Sequence, residues 1–268
     1  MNTTNEVQHF NPLLDHFGLF YKVLVDNSSH CHAVYKKNVD TQVFFSGISS
    51  PYQNGVIGTP SYNENDCIDK NIFFFQKMNI PFIWWIEENT NPEFEKKLIA
   101  HNFHDLKSIF QGMIIDLKDF VPNVQDNYQI ELIKDIETFQ EFNEVVCNTF
   151  GLPQPSKDQF KNALQKDLKS KRPYMKHWVI KKDGKIVATL SSLIKDSIVS
   201  IWNAATLPEF RKQGFCTALF NRVLDDAKQK NCNLSTCYLM SDALAKGICQ
   251  KLGFQVKWGI KAFSSPSF

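Results

Sequence analysis

At 268 residues, with 43% hydrophobic and 22% charged residues, the chain can bury a full core and suits one large or two modest globular domains. Thirty Lys and Arg against 28 Asp and Glu leave a formal charge of only +2, which argues against a nucleic-acid binder driven by phosphate neutralisation. The apolar runs fall far short of a membrane span, and Met1 to Glu6 lacks the basic flank and apolar core of an export signal; a cytoplasmic protein with no membrane partner is expected.

From the N-terminus, Pro12 to Val25 places Leu13, Leu14, Phe17, Leu19, Phe20, Val23 and Leu24 at helical spacing. Val39 to Ile48 and Gly55 to Thr59 read as strands around a Ser-Pro-Tyr-Gln-Asn-Gly turn, and Asn65 to Met78 as a helix. Pro81-Phe82-Ile83-Trp84-Trp85-Ile86 is continuously apolar and suits a buried central strand; its aromatics form either packed core or a stacking wall for a ligand. Pro92 opens a helix ending near Asn102-Phe103, and Gln111 to Leu117 is a further strand. The polar stretch Lys118 to Asn127, with Pro122, is the natural domain boundary, giving units 1–124 and 125–268.

Beyond it, Tyr128 to Lys134 reads as a strand and Ile136 to Phe150 as a helix with Phe139, Phe142, Val145 and Val146 on one side. Gly151 to Pro155 breaks that helix, and Ser156 with Asp158 starts the next, ending at Lys169. Its Lys166 and Lys169, with Lys171 and Arg172, either steer an acidic acceptor or form a solvated helix end. Asp183-Gly184 between two apolar runs is a strong hairpin signal, and a Lys195-Asp196 turn leads into a third strand, Ile198 to Thr206. A helix from Thr217 to Lys230, a strand from Leu234 to Ser241, a short helix from Asp242 and a last strand from Gln255 to Phe263 complete an α/β chain with a mixed central sheet.

Seven cysteines, odd in number and without Cys-x-x-Cys, read as reduced thiols in packing positions. His30 and His32 near Cys31, or His101 and His104 at helical spacing, have no further ligand at a recognisable spacing, so structural or solvent-facing histidines and no metal are expected.

One junction stands apart from this framework. The apolar strand ending at Thr206 runs into Pro208-Glu209-Phe210-Arg211-Lys212-Gln213-Gly214 and then a helix. The first amides of such a helix lack intrahelical partners and its dipole adds positive charge, while Gly214 permits close backbone approach and Arg211 and Lys212 bring formal charge. That is an anion site; the glycines and Lys-Ser/Thr of a P-loop or dinucleotide fingerprint are missing. Arg211-x-x-Gly214-x-Cys216, with Thr217-Ala218-Leu219 after it and Leu252-Gly253-Phe254 near the end, resembles the acyl-CoA pyrophosphate loop and closing motif of the GNAT superfamily of N-acetyltransferases. Cys216 stands where that family has Gly or Ala.

The resemblance covers roughly the last half of the chain and implies a mostly antiparallel GNAT-like α/β (α+β) sheet flanked by helices, with acetyl-CoA as co-substrate. It implies that Arg211, Lys212, Gln213, Gly214, Phe215, Cys216, Thr217 and Ala218 form the pyrophosphate end of the cofactor site, that Leu207 also lines it, and that the strand amides of Ala205 and Thr206 hold the pantetheine and polarise the thioester carbonyl. The Trp84-Trp85 strand and Gly112-Met113-x-x-Asp116-Leu117 resemble the N-terminal half of tandem GNAT proteins, implying that the fold occurs twice. No such loop stands between residues 50 and 70, so residues 1–124 read as a degenerate, non-catalytic half. The chemistry implied is direct attack of an amine, on a small molecule or a peptide, upon the thioester, with a proton for the leaving thiolate. The family's acid, a Tyr four positions before the Gly of Leu-Gly-Phe, is replaced by Cys249, which is either a general acid or packing. Ser241 is a proton relay or a helix cap, and Asp242 a base or a first-turn anion. A catalytically silent CoA-binding sensor is the alternative to an enzyme.

Overall fold

The computed structural model describes residues 12–89, 91–123, 128–240 and 243–266. The chain divides into two compact units, one of residues up to Ser108 together with Ile260 onward, the other Ile109–Gly259. Two strands, β5 (His104–Asp116) and β11 (Gln255–Ser264), pass from one unit to the other along the chain.

In the first unit α1 (Pro12–Asp26) precedes β1 (Val34–Lys37), β2 (Thr41–Phe45) and β3 (Asn54–Gly58); α2 (Glu64–Lys77), β4 (Ile83–Glu87) and α3 (Pro92–Ala100) follow. The sheet order is β1-β2-β3-β4, with Ile260–Ser264 of β11 antiparallel to β4. Only β3 and β4 are parallel, because α2 lies between them in the chain. Trp84 and Trp85 point to opposite faces and are almost wholly buried, Trp84 against Phe94 and Phe103, Trp85 against Phe17. Packed core, rather than a ligand wall, is therefore what the aromatic strand supplies, and each such ring contributes about 1.5–3 kcal/mol by burial.

Local chemistry moves several expected boundaries. β1 escapes pattern reading because it is a short edge strand whose residues stay half-buried or exposed. β2 starts at Thr41, not Val39, since Asn38 N–H closes a turn onto Thr41 O at 2.8 Å. β5 starts at His104, seven residues before the apolar run that betrays it, because His104–Lys107 is polar.

In the second unit the order is β5-β10-β9-β8-β7-β6. Its elements are β6 (Ile130–Leu132), α4 (Ile136–Phe150), α5 (Ser156–Lys169), β7 (Met175–Lys182), β8 (Lys185–Lys195), β9 (Ile198–Thr206), α6 (Phe215–Gln229), β10 (Leu234–Met240) and α7 (Lys246–Lys251). All neighbours are antiparallel except β9 and β10, which α6 connects. The α4 limits follow from its caps: the Asp135 carboxylate accepts Thr138 N–H at 2.7 Å, and Gly151 ends the helix at φ +67°. The expected strand Tyr128–Lys134 contracts to β6, and α5 starts at Ser156 as expected, with Pro155 O accepting Gln159 N–H at 3.2 Å. Leu219, Phe220, Val223 and Leu224 of α6 pack on Val199 and Ile201 of β9 and on Val187 and Leu190 of β8, which fixes the helix over the sheet. No described helix is long and apolar enough to cross a membrane.

Candidate functional site

β9 and β10 pair from Ile198↔Leu234 to Ile201↔Cys237 and then part. β9 runs on to Thr206 and β10 to Met240, so the edge Trp202–Thr206 has no ladder partner in β10. Trp202 and Tyr238, the first residues past the last pair, stack their rings at 5.1 Å and 29° across the apex of this fork. On its other edge β9 is bulged. Register with β8 runs from Thr189↔Ala205 to Ser191↔Trp202, so Asn203 and Ala204 together oppose Leu190, and Asn203 sits at φ +52°.

Beyond Thr206 a turn of 3₁₀ helix, Pro208–Phe210, carries the chain to Gly214, the N-cap of α6 at φ +84°. A side chain there is strained by the backbone alone, and an added Cβ would lie 2.8 Å from the Tyr128 hydroxyl. The first helical bond is Ala218 N–H to Gly214 O at 2.9 Å, which leaves the preceding amides for another acceptor. Arg211 Nε donates to Thr206 O at 3.1 Å, tying the exposed guanidinium to the end of β9. Lys212, at φ +59°, is exposed. Gln213 O accepts from the Tyr128 hydroxyl at 2.8 Å, its side chain from Lys182 Nζ at 3.3 Å. Phe215 and Ala218 are buried and anchor the helix, and Phe215 meets the Tyr128 ring edge-on at 5.2 Å. Thr217 is exposed and borders a cavity of about 580 Å³ with Asn123, Asn221, Lys251 and Gln255. Ala205 is buried in β9, and Leu207 N–H is held by Val187 O at 3.0 Å. The expected cofactor residues from Ala205 to Ala218 thus run from the end of β9 through the turn into α6, with Arg211 to Gly214 and Thr217 exposed and Ala205, Phe215 and Ala218 buried.

Cys249 lies elsewhere. It is fully buried on α7 in the cluster beneath α6, with its Sγ 3.8 Å from that of Cys237. The contact with Cys249 and then burial raise the Cys237 thiol well above its ordinary range. Burial, with the nearby Cys249 a lesser cause, pushes half-buried Cys216 up to about 12. Cys216 and Cys237 are neutral thiols at physiological pH. Ser241 and Asp242 lie outside the described residues. Among the described residues no three His, Cys, Asp or Glu side chains gather as a metal site. His30 packs on Phe45, and His101 bonds Lys97 O at 2.7 Å.

Three contributors went unread in the sequence. Tyr128 and Lys182 reach the loop from the β6 and β7 ends, a consequence of tertiary placement alone. Asn203 had a signal: an Asn inside an apolar strand is a residue that tolerates φ above zero.

A search of curated proteins finds no match. Among solved structures, the chain is similar to a GCN5-related N-acetyltransferase from Kribbella flavida, with TM-score 0.70 and 13% identity over 94% of this chain and 95% of that one. A tandem GNAT protein from the clavulanic acid biosynthesis pathway gives 0.63 at 11% identity, covering 92% and 87%. A GCN5-related N-acetyltransferase from Sphaerobacter thermophilus gives 0.60 at 12%, covering 87% and 84%. At such identities the likeness is one of fold. The Acetyltransferase (GNAT) family model matches residues 139–254, from α4 to the end of the Leu-Gly-Phe motif.

Proposed function

We propose that the chain is an N-acyltransferase that moves an acetyl group from acetyl-CoA to an amine acceptor, with both substrates bound together. The observation that carries this is the continuity of the β9 edge with the cationic, glycine-opened start of α6. A phosphate-bearing thioester with a long flexible arm needs both parts, one to hold charge and one to hold an amide-rich chain. The residues fit that group: the α6 amides from Gly214 to Thr217 are donors without helical acceptors, Gly214 leaves the approach clear, and Arg211, Lys212 and Lys182 surround it with charge.

Acetyl-CoA supplies an activated acyl group. The chain supplies the rest. The loop amides and cations bind the phosphates, the free edge at Ala205 and Thr206 binds the pantetheine amides, and the buried wall of Val199, Ile201 and Phe215 keeps water from behind the fork. Ser241 and Asp242 follow β10 directly in sequence and remain our candidates for handling the proton of the amine. Cys249, wholly buried against Cys237, acts in packing. Residues 1–124 form, in this proposal, a degenerate, non-catalytic GNAT-like half, and the acceptor is a small molecule or a peptide.

The burial of Cys249 favours one competing function, a CoA-binding sensor without turnover. Calorimetry with CoA and with acetyl-CoA tests binding, and ligand at 100 times its Kd should raise stability by about 2.7 kcal/mol. Release of CoA thiol over a panel of amines then separates enzyme from sensor. No heat and no thermal shift at millimolar CoA would refute both.

A further inference from the structure

Behind the fork lies a chain of polar groups that neither the loop nor the helix uses. Asn203 Nδ2 donates to Ser191 Oγ at 3.1 Å, and Ser191 Oγ lies 2.8 Å from His177 Nδ1. His177 and Ser191 are fully buried, and the imidazole is boxed by Phe139 at 5.3 Å and Phe142 at 4.8 Å. Burial holds His177 far below the ordinary imidazole range, at about 3, so the ring is neutral. Ser191 Oγ thus bridges the Asn203 side-chain amide and the neutral His177 ring at Nδ1. From the opposite side, the Thr189 hydroxyl donates to Asn203 O at 2.9 Å. Asn203 is therefore gripped at side chain and carbonyl in the left-handed conformation that makes the β9 bulge.

A bulge sets where the following amides aim, and the amides that follow Asn203 belong to the free edge. At about 3.3 Å per residue, Asn203 lies on the order of 10 Å down that edge from Thr206, where the loop begins. An arm anchored by its phosphates at α6 brings its acyl end to this part of β9 rather than to the loop.

Resting on the proposed function, we infer that His177 and Ser191 are positioning residues that hold Asn203 and the β9 bulge in the shape that recognises the acyl group. A merely structural polar pair would leave acyl recognition unchanged. Buried His177, Ser191 and Thr189 converge on Asn203 and so restrict the bulge to one backbone shape.

The test compares acetyl-CoA with CoA by calorimetry for the wild-type chain, Ser191→Ala and Ser191→Thr. Loss of the hydroxyl should weaken acetyl-CoA by about tenfold and CoA by less than about twofold, with Thr restoring most of the difference. The imidazole ¹⁵N signals of His177 should move in Ser191→Ala and return in Ser191→Thr. If Ser191→Ala does not fold, Asn203→Gly decides, because glycine keeps the φ and loses only the side-chain grip; it should show the same selective loss. Wild-type chain that binds neither ligand overturns the acyltransferase function and this inference with it. Wild-type binding with equal or absent changes in the folded variants overturns the positioning role alone.

Discussion

The chain passes twice from a strand through a turn into a helix and back to a parallel strand, at β3-α2-β4 and at β9-α6-β10, and the two passages differ in every feature that binding would use. In the first, pairing runs from Gly55↔Ile83 to Ile57↔Trp85, leaving one residue of β3, Gly58, beyond the last pair, and Trp84 Nε1 donates to Gly58 O at 2.9 Å. In the second, pairing stops at Ile201↔Cys237 with Trp202–Thr206 still to come. The first turn is acidic: Asp40 accepts Ser61 N–H at 2.6 Å, and Glu64 and Asp66 occupy the first turn of α2. A 620 Å³ hollow there is lined by Ser61, Asn63, Glu64, Asn65, Asp66 and Lys97. The helix dipole that would attract a phosphate is already answered by carboxylates, and Lys97 is taken by Glu64 at 2.5 Å. The second turn offers Arg211, Lys212 and Lys182 instead. A shared topology thus supplies a site only where the strands separate and the helix start is left uncompensated.

The largest effect should come from placing at the second junction what closes the first. Gly214→Glu adds a strained side chain and a negative charge at the α6 N-cap, and CoA affinity by calorimetry should fall at least about 100-fold, with a lower melting point from the left-handed backbone and the Tyr128 contact. Asn63→Glu, at the exposed left-handed N-cap of α2, should leave CoA affinity unchanged. Loss of affinity in both would put the phosphates elsewhere.

Sequence reading reached α4 and β9 residue for residue, and the Asp183-Gly184 hairpin, because caps, turn residues and apolar period are local signals. It reached the loop because Gly214 and Arg211 are chemically conspicuous. It could not reach the fork, since where β10 leaves β9 is a property of pairing. Nor could it tell that Cys249 faces Cys237 rather than a cleft, because helical spacing names a face and not its neighbour.

Acid should single out the unit that carries the second junction. His177 is neutral in the fold to about pH 3, whereas an unfolded imidazole titrates near 6.5. Between those values the unfolded chain binds the extra proton, so stability is full above about 6.5 and is lost as pH falls toward 3, by up to about 1.4 kcal/mol per unit. Urea midpoints taken at pH 7.5 and 5.5 should show the wild type losing about 1.4 kcal/mol more than His177→Gln. Parallel losses would mean that the ring is solvated.

Neutralising one cation should do less. Lys182→Ala removes a charge that reaches the loop through Gln213 but is itself exposed, so CoA should bind about two- to tenfold more weakly, and the difference should shrink with added salt. Lys97→Ala, its counterpart at the first junction, should have no effect on CoA. A salt-independent loss at Lys182 would point to packing on Phe210, whose ring lies 5.7 Å from the ammonium.

The smallest effect separates packing from chemistry at α7. Cys249→Ala removes one sulfur from a cluster that also contains Cys237, Phe254 and the buried face of α6. The loss is that of one small buried group plus the gap left beside Cys237, about 1 kcal/mol read as a shift in urea midpoint. CoA affinity should stay within about twofold, since Cys249 is wholly buried and offers no exposed atom to a ligand. A positioned general acid would instead cost roughly 100-fold or more in turnover at unchanged stability. The same reasoning turns the family's tyrosine into a burden here: Cys249→Tyr forces a ring into a space that ends 3.8 Å away at Cys237, so it should lower stability without raising turnover. A faster Tyr variant with an unshifted midpoint would show that α7 can turn this position toward the fork, and the contrast between a buried thiol and an open edge would then have to be redrawn.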